Sequence, residues 1–415
     1  MSVYVIDEMM GRGKTTAAIR HVNESPDGKR FLFVVPYLTE VERILEQCTE
    51  RRFYAPLKDG GKLNNIKPLL KEGRDVVSTH ALFQMLDAEA LEYIRDNQYT
   101  LIMDEVADVA SQINITDKDA ELILGRYAHV GDDKRLCWDD PSYEGKLSLY
   151  KDMMDAGNAY IYSENYWVSF TPIELFLAFE DIYIMTYMFT HQMHRCYFDL
   201  FDIRYQYKYV AGDSPETYCL TDTVPSSAPL DLCNLIRIED NYRLNEIGDG
   251  YHNLSKTWYR RNLYKPAMNR LGNNVLNFFR NYARTPSRLN LWTTFGEDEL
   301  TGIDYFKVLA GGGFARSGLS CNAKGTNDYR DRTSLAYLIN RFPHTSLYNF
   351  LHAKGIELNR DAFALSEMVQ WIWRSAVRDG QEVYLYMPSR RMRGLLTDWM
   401  DRLAAGEPAF PAEIQ

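Results

Sequence analysis

Short runs of apolar residues alternate with amphipathic stretches through the first half of the chain. Runs that are apolar at every position are typical of strands in a parallel sheet whose two faces are both covered by helices. The pattern predicts strands at 3–6, 31–35, 75–78, 100–103 and 183–185, separated by helices that include 15–22, 39–48 and 81–86. This order predicts a doubly wound α/β domain, in which ligands bind at the carboxyl ends of the strands.

The second half continues the alternation less regularly. We predict a largely helical segment at 253–282 with a break at Pro266, then a strand at 289–293, helices at 334–340 and 366–378, a strand at 383–387 and a helix at 390–403. An aromatic-rich stretch at about 117–180 is interpreted as an insertion, and the loop-forming residues of 211–230 as a linker. The predicted fold class is α/β, with lobes at 1–210 and 231–415, each a mostly parallel sheet covered by helices.

Length and composition agree with two globular domains. A chain of 415 residues exceeds what one hydrophobic core usually supports, and its hydrophobic content of 46% is ordinary. The six cysteines stand singly, which predicts reduced thiols and neither a zinc site nor a disulfide framework. No apolar run is long enough to cross a bilayer and no targeting segment is recognisable, so we expect no membrane partner and a cytoplasmic location.

Charge is distributed unevenly along this acidic chain. The net charge is −10, yet the stretch from Gly250 to Gly296, called the basic segment below, contains no Asp or Glu and eight Lys and Arg residues. Such an asymmetry indicates a local surface for a polyanion. Aromatic residues interleaved with these cations could stack on bases or belong to the core, and we expect some of each.

A glycine-containing loop follows the first predicted strand and leads directly into a helix. Glycines allow backbone N–H groups to turn around a polyphosphate, and the helix N-terminus adds its positive dipole end. The pattern GxxxxGK(S/T) is complete except for its first glycine, where this chain has Glu8. The loop predicts nucleotide binding by Gly11, Arg12, Gly13, Lys14, Thr15 and Thr16, with Lys14 on the phosphates and the Thr15 hydroxyl on Mg²⁺. An ordinary glycine turn is the alternative.

Two adjacent carboxylates end the predicted strand at 100–103. Beside a phosphate-binding loop, Asp104 could hold Mg²⁺ and Glu105 could polarise a water molecule that attacks the γ-phosphate. Two carboxylates at one strand end repel each other unless a cation lies nearby. A solvated strand end is the alternative, which the neighbouring loop disfavours.

These two motifs, Gly11-Arg12-Gly13-Lys14-Thr15 and Asp104-Glu105-Val106-Ala107, resemble those of superfamily 2 helicases of the DEAD/DEAH type, most closely the helicases encoded by phages. A weaker block at 34–37 resembles motif Ia. The block at 78–82 resembles the threonine-containing block that follows motif Ia in the family, and the block at 186–189 resembles motif III. Blocks at 291–295, 324–329 and 370–378 resemble motifs IV, V and VI. The resemblance implies two RecA-like P-loop lobes, the first of which binds ATP, with ATP and Mg²⁺ as cofactors.

The resemblance also implies roles for residues outside the glycine loop. Motif VI supplies arginine fingers, and Arg374 and Arg378 lie four apart, where one helix would present both on one face. The family has its arginines three apart after a glycine, whereas Trp373 precedes Arg374 here, so the choice of finger is open and we prefer Arg374. Two arginines on a solvated helix face are the alternative.

Nucleic acid is the partner that the resemblance and the basic segment both predict. The predicted contacts are Lys256, Arg260, Arg261, Lys265 and Arg270 of the basic segment, together with Thr79 and Thr326 of the weaker blocks. The resemblance favours DNA over RNA, bound as a single tracking strand, with replication proteins as further candidate partners and the host cytoplasm as location. The oligomeric state is left open.

The expected function is an ATP-dependent translocase or helicase that moves along DNA and unwinds it. A phage DNA-packaging ATPase is one alternative, although it normally adds a metal nuclease domain, and the second half has no convincing set of spaced carboxylates for one. A nucleotide-switch adaptor that does not translocate is the other. Stimulation of ATP hydrolysis by single-stranded DNA distinguishes a motor from an adaptor.

Overall fold

The chain forms two compact units in the computed structural model, which describes residues 1–57, 61–163, 166–224, 232, 234–298, 301–309, 314–321 and 328–409. The first unit comprises Met1–Pro225 with Pro343–Leu358, and the second comprises Ser226–Phe342 with Asn359–Gln415. The expected division placed all of 231–415 in one lobe. The observed division differs from this expectation because the short segment Pro343–Leu358 packs with the first unit.

The first unit contains most of the strands. They are β1 (Ser2–Asp7), β2 (Arg30–Val35), β3 (Phe53–Tyr54), β4 (Asp75–Thr79), β5 (Tyr99–Asp104), β6 (Ala110–Ile113), β7 (Ala128–Val130), β8 (Leu136–Trp138), β9 (Ala159–Ser163), β10 (Tyr166–Phe170), β11 (Asp181–Thr186), β12 (Gln206–Ala211) and β13 (Cys219–Thr221). The helices before the second unit are α1 (Lys14–Glu24), α2 (Leu38–Gln47), α3 (Lys62–Lys71), α4 (His80–Phe83), α5 (Ala88–Asp96), α6 (Asp117–Arg126), α7 (Ser148–Asp155), α8 (Glu174–Leu177) and α9 (Met193–Leu200).

Within the described residues of the first unit, eight strands form one sheet in the order β13-β12-β1-β11-β5-β2-β4-β3. Every neighbouring pair is parallel except β12 and β13, which are antiparallel. Strands β2 and β5 bury almost every residue, as expected when helices cover both faces. In α1 the buried residues Ala17 and Ala18 are small enough for the helix to approach the sheet closely.

The insertion occupies the sequence between β5 and β11, two strands that are neighbours in the large sheet. Its own antiparallel sheet has the order β6-β10-β9, and β7 pairs with β8. A separate core around the fully buried Trp167 holds it together. The insertion was predicted at 117–180, and the structure begins it earlier, since β6 already belongs to it.

The second unit has a smaller parallel sheet. Its described strands are β14 (Ile236–Ile238), β15 (Asn290–Thr293), β16 (Ser334–Tyr337) and β17 (Val383–Tyr386), in the order β14-β17-β16-β15. The helices of the second half are α10 (Tyr242–Asn245), α11 (Lys256–Asn262), α12 (Pro266–Asn277), α13 (Tyr305–Leu309), α14 (Thr345–Ala353), α15 (Arg360–Ile372) and α16 (Arg390–Ala404), of which α14 belongs to the first unit. The predicted fold class, α/β with mostly parallel sheets covered by helices and an insertion in the first lobe, is confirmed.

Helix α14 packs on the insertion. The ring of Phe350 lies 5.5 Å from that of Phe170 and 5.7 Å from that of Tyr160, measured between centroids. The Lys354 ammonium donates a hydrogen bond of 2.6 Å to the carbonyl oxygen of Asp133. These contacts explain why Pro343–Leu358 belongs to the first unit.

Three predicted elements are wrong. The run at 334–340, predicted as a helix, contains β16, because a short buried apolar run has no periodicity that separates strand from helix. The linker at 211–230 begins in the sheet, since Ala211 ends β12 and Cys219–Thr221 is β13, while 225–230 lie outside the described residues. The helix predicted at 366–378 is α15, which ends at Ile372.

Candidate functional site

The glycine loop joins the central strand β1 to the N-terminus of α1. Gly11 has a φ of 80° and Gly13 a φ of 75°, a left-handed conformation that glycine adopts without steric cost. Gly13 is the N-cap of α1, and no side chain caps this end. The first N–H groups of the helix therefore remain available for an anion, and the helix dipole favours one there.

Lys14 is the first residue of α1, and its ammonium is held by the loop itself. It donates hydrogen bonds to the carbonyl oxygens of Glu8 and of Met9, the latter at 3.0 Å. Burial lowers the pKa of Lys14, and the carboxylates of Asp104 and Asp7 oppose that shift. The ammonium is thus ready to exchange neutral carbonyls for anionic oxygens.

Thr15 and Asp104 meet across the strand ends. The Thr15 hydroxyl donates a hydrogen bond of 2.8 Å to Oδ2 of Asp104. Residues 89 positions apart come together because β5 ends beside β11, which is the neighbour of β1. The carbonyl oxygen of Asp104 lies 2.9 Å from Nε2 of His80, which links β5 to the start of α4.

The Asp104 carboxyl has a raised pKa of about 6. Burial is the main cause, and the negative charge of Glu105 adds to it. The Thr15 hydrogen bond and the Lys14 charge act in the opposite direction. A carboxylate that burial and a like charge both disfavour is one that a cation would stabilise.

These groups fit a magnesium ion. Mg²⁺ prefers hard oxygen ligands, and it is usually held by one or two protein groups together with phosphate oxygens. The adjacent hydroxyl of Thr15 and carboxylate of Asp104 are such groups. No cluster of three or more His, Cys, Asp or Glu residues is placed to hold a metal ion within the described part of the chain.

Glu105 follows β5 in an unusual backbone conformation. Its φ is 60°, which costs free energy for a residue with a side chain. Its backbone N–H donates to the carbonyl oxygen of Met185 on β11, at 3.0 Å. The neighbouring strand therefore holds this residue in place, next to Asp104 at the carboxyl end of the sheet.

Asp7, which ends β1, is a part of the site that the motifs did not reveal. Its carboxylate accepts hydrogen bonds from the backbone N–H groups of Met188 at 2.7 Å and Phe189 at 2.9 Å. Burial raises its pKa to about 6, although the two backbone hydrogen bonds lower it. Asp7 thus ties the glycine loop to the motif III block at 186–189. A carboxylate at a strand end beside the loop could have indicated this.

The remaining first-unit predictions are more peripheral. Arg12 and Gly11 are exposed in the loop, and Thr16 lies in the first turn of α1. The Thr79 side chain caps α4 by accepting from the N–H of Leu82 at 3.4 Å. Its hydroxyl thus already has a structural role, and its contact with nucleic acid stays a prediction.

The two candidate finger arginines do not share a helix. Arg374 comes two residues after the end of α15 and is only 6% exposed, whereas Arg378 lies in a separate 3₁₀-helix at Ala376–Asp379. The expected helix through both residues is therefore wrong, because α15 ends at Ile372 and its C-cap is Trp373. Their role as fingers stays a prediction.

The basic segment lies on α11, α12 and the turns that follow. Within it, Arg260 forms an ion pair of 2.7 Å with the buried Asp298, and Arg270 one of 2.6 Å with Glu246. Both acidic residues lie outside the basic segment. Arg261 and Lys265 are exposed and Lys256 is half-buried, while Thr326 lies outside the described residues.

The aromatic residues of the segment lie partly in the core and partly at the surface, and their stacking on bases stays a prediction. Tyr259, Phe278 and Phe279 are buried, and the hydroxyl of Tyr259 donates to the carbonyl oxygen of Leu338. Tyr264 is 79% exposed between α11 and α12. Across the residues that the structure describes, no helix is long and apolar enough to cross a membrane.

Known proteins resemble this chain in sequence and in fold. Residues 230–400 match the family model described as the YonV C-terminal Rossmann-like domain. The SPbeta prophage-derived uncharacterized protein YonV of Bacillus subtilis (strain 168) is 37% identical over 420 residues, which cover 96% of this chain and 98% of that protein.

Among solved structures, Xpd4 of S. tokodaii superimposes with a TM-score of 0.50 at 11% identity, covering 98% of this chain and 94% of that chain. A structure titled XPD_Helicase gives 0.48 at 12% identity, covering 98% and 95%. The match to Xpd4 concerns the fold alone. It agrees with the fold that the sequence predicted.

Proposed function

We propose that this chain, which belongs to the family of the prophage protein YonV, hydrolyses ATP to move along nucleic acid and to unwind it. The observation that carries the proposal is the contact between Thr15 and Asp104 at the mouth of the glycine loop, beside Lys14. It brings together a hydroxyl, a carboxylate and an ammonium at the open N-terminus of α1. Phosphate binding and hydrolysis need these groups together.

The loop and α1 would bind the triphosphate. The uncapped N–H groups of α1 donate to phosphate oxygens, and Lys14 exchanges the carbonyls of Glu8 and Met9 for the β and γ oxygens. Gly11, Arg12, Gly13 and Thr16 complete this set. The left-handed glycines already shape the loop before a ligand binds.

Thr15 and Asp104 would hold the magnesium ion, which offsets negative charge on the phosphates when it is bound. The Thr15 oxygen would supply a lone pair to the ion, and its O–H can still donate to Asp104. Glu105 orients a water molecule for in-line attack on the γ-phosphate and accepts its proton. Its position next to Asp104 at the strand end suits that role.

The second unit would supply charge stabilisation and nucleic-acid contacts. Arg374 is our preferred finger and Arg378 the second choice, since a guanidinium can bridge γ-phosphate oxygens as charge develops. Arg261, Lys265 and Lys256 would bind phosphates of the tracking strand, with Arg260 and Arg270 at its border, because both already pair with acids. Thr79 and Thr326 remain proposed contacts. We place this activity in phage DNA replication in the host cytoplasm, and kinship with a prophage protein supports the phage setting.

The test is hydrolysis of ATP by purified protein with and without single-stranded DNA. We expect Mg²⁺-dependent hydrolysis that DNA accelerates several-fold, and a Lys14→Ala variant that keeps its circular dichroism spectrum but loses hydrolysis by about 100-fold or more. The exposed Lys307, in the second unit, offers a matched Lys→Ala control that should keep full activity. Unchanged hydrolysis in Lys14→Ala would refute the site.

Strand displacement on tailed duplexes then tests movement. A motor should displace strands from a duplex with one polarity of tail. Hydrolysis that DNA does not accelerate, without displacement, would instead indicate a nucleotide-switch adaptor. Either result keeps the nucleotide site but decides between the two functions.

A further inference from the structure

The hairpin of β12 and β13 lies on the side of β1 that is remote from Asp104. In the strand order β13-β12-β1-β11-β5, the strand that carries Asp104 is two places to one side of β1, and β13 is two places to the other. A nucleotide whose γ-phosphate lies near Lys14 and Asp104 can therefore extend its nucleoside toward this hairpin.

Tyr218, the residue just before β13, lies directly on the glycine loop. A Cβ atom at Gly13 would come within 2.5 Å of Cγ, Cδ2 and Cε2 of the tyrosine ring, three consecutive ring atoms. Similar distances to three adjacent atoms mean that the ring presents a face, and not an edge, to Gly13. The ring is half-buried. Because Gly13 covers the face that it contacts, a base would stack on the opposite face of the ring.

Local hydrogen bonds fix this ring in place. The Thr217 hydroxyl accepts from the N–H groups of Asp213 and Ser214, both at 3.1 Å, and the N–H of Tyr218 donates to the Ser214 carbonyl oxygen at 3.0 Å. The turn is also bound to α1, because Arg20 donates to the carbonyl oxygen of Glu216 at 3.0 Å. Tyr218 packs against the core that α1 and the large sheet share.

We propose that the Tyr218 ring is the stacking platform for the base of a purine nucleoside triphosphate. The inference rests on the proposed function, because it needs the triphosphate in the glycine loop. An aromatic face stacks on every base, and the larger ring system of a purine gains more contact than a pyrimidine. A ring fixed to both α1 and β13 can hold the base without prior ordering of the chain.

Three variants separate stacking from packing. Tyr218→Phe keeps the ring and removes the hydroxyl, Tyr218→Leu keeps apolar bulk against Gly13 without an aromatic face, and Tyr218→Ala removes both. Equilibrium binding with Mg²⁺ is measured by calorimetry for ATP, GTP, UTP and inorganic tripolyphosphate, which has no base. The Lys14→Ala variant reports loss of the phosphate site for all four probes.

We expect Tyr218→Ala and Tyr218→Leu to weaken ATP and GTP about tenfold, and UTP less, with tripolyphosphate unchanged. Tyr218→Phe should bind all four like the wild type. Equal weakening of ATP and tripolyphosphate would show that Tyr218 only shapes the loop, and no weakening at all would show that the base lies elsewhere; both overturn the proposal. A wild type that binds none of the four probes would instead refute the proposed function itself.

Discussion

At the scale of single residues, the site contains charged side chains whose ionised forms are disfavoured by burial. Burial raises the pKa values of Asp7 and Asp104 to about 6 and lowers that of Lys14. Groups kept in an unfavourable ionisation state are typical of sites that a ligand completes, because the ligand's own charge compensates them. The two carboxylates face different partners. Asp7 accepts from two backbone N–H groups, whereas Asp104 accepts from one hydroxyl.

The Asp104→Asn variant should therefore be more stable than the wild type without ligand. The ordinary pKa of the carboxyl is 3.8 and its folded value is about 6. The folded state binds this proton more tightly, so the associated stability is complete below about pH 4 and is lost as the pH rises through about 6. At about pH 7.5, without Mg²⁺, we expect the free energy of unfolding to rise by roughly 1–3 kcal/mol.

Urea unfolding between about pH 4 and pH 8 measures this effect. The variant should show a shallower loss of stability across that range and should lose Mg²⁺-dependent hydrolysis. Asp96→Asn, which changes an exposed carboxylate at the end of α5, is the control and should behave as the wild type. A destabilised Asp104→Asn would mean that the ionised carboxylate contributes to stability without ligand.

At the scale of elements, the N-terminus of α1 forms part of the site. Helix α14 packs against strands that are far from it in sequence. Some helices of the first unit begin with a capping side chain, such as Asp87 before α5 and Thr116 before α6, and others, such as α2 and α3, begin without one. Helix α1 begins at a left-handed glycine without one. Helix α14 has a different importance, because it comes from the second half of the sequence yet packs on β9 and β10 through Phe350.

Removal of the Phe350 ring should release α14 from the insertion. The ring is 1% exposed, and Phe350→Ala should lower the free energy of unfolding of the first unit by about 3–4 kcal/mol. Calorimetry gives the stability, and hydrogen exchange should show faster exchange in β9 and β10. Thr345→Ala, at the exposed start of α14, is the control. Equal effects of the two variants would mean that the ring contacts do not hold the helix.

At the scale of the whole molecule, the main features are how the chain connects its two units and how charge is distributed along it. The chain passes between its two units at three places, after residues 225, 342 and 358. Helix α15, which is followed by Arg374, starts soon after the third passage. The net charge of −10 contrasts with the basic segment, and two of its arginines are already paired with acids from outside it.

The exposed cations of the basic segment should therefore account for most of the nucleic-acid affinity. We expect the double variant Arg261→Ala and Lys265→Ala to weaken single-stranded DNA binding and to reduce the slope of log affinity against log salt concentration by about 1.4, or about 0.7 for each lost phosphate contact. Fluorescence anisotropy over a series of salt concentrations measures both. Lys307→Ala, an exposed cation outside the segment, should leave the slope unchanged. An unaltered slope in the double variant would place the strand on another surface.

Local patterns in the sequence determined much of the secondary structure and part of the candidate site. Five of the eight strands of the large sheet follow from their continuous apolar runs, and the glycine loop and Asp104 follow from their place at strand ends. The parallel arrangement brings such ends to one edge of the sheet, and for this reason Thr15 and Asp104 could be expected to meet. The strand β16 was predicted as a helix because its short run lacks periodicity.

Only the tertiary structure decided the contacts between residues far apart in sequence. The packing of α14 on the insertion, the pairing of Arg260 with Asp298 and the position of Tyr218 over Gly13 all depend on side-chain shape in the folded core. Periodicity reports which face of an element is buried, but it does not report which partner buries it. The sequence thus determined most of the elements and the charged end of the site, and the tertiary structure decided what surrounds them.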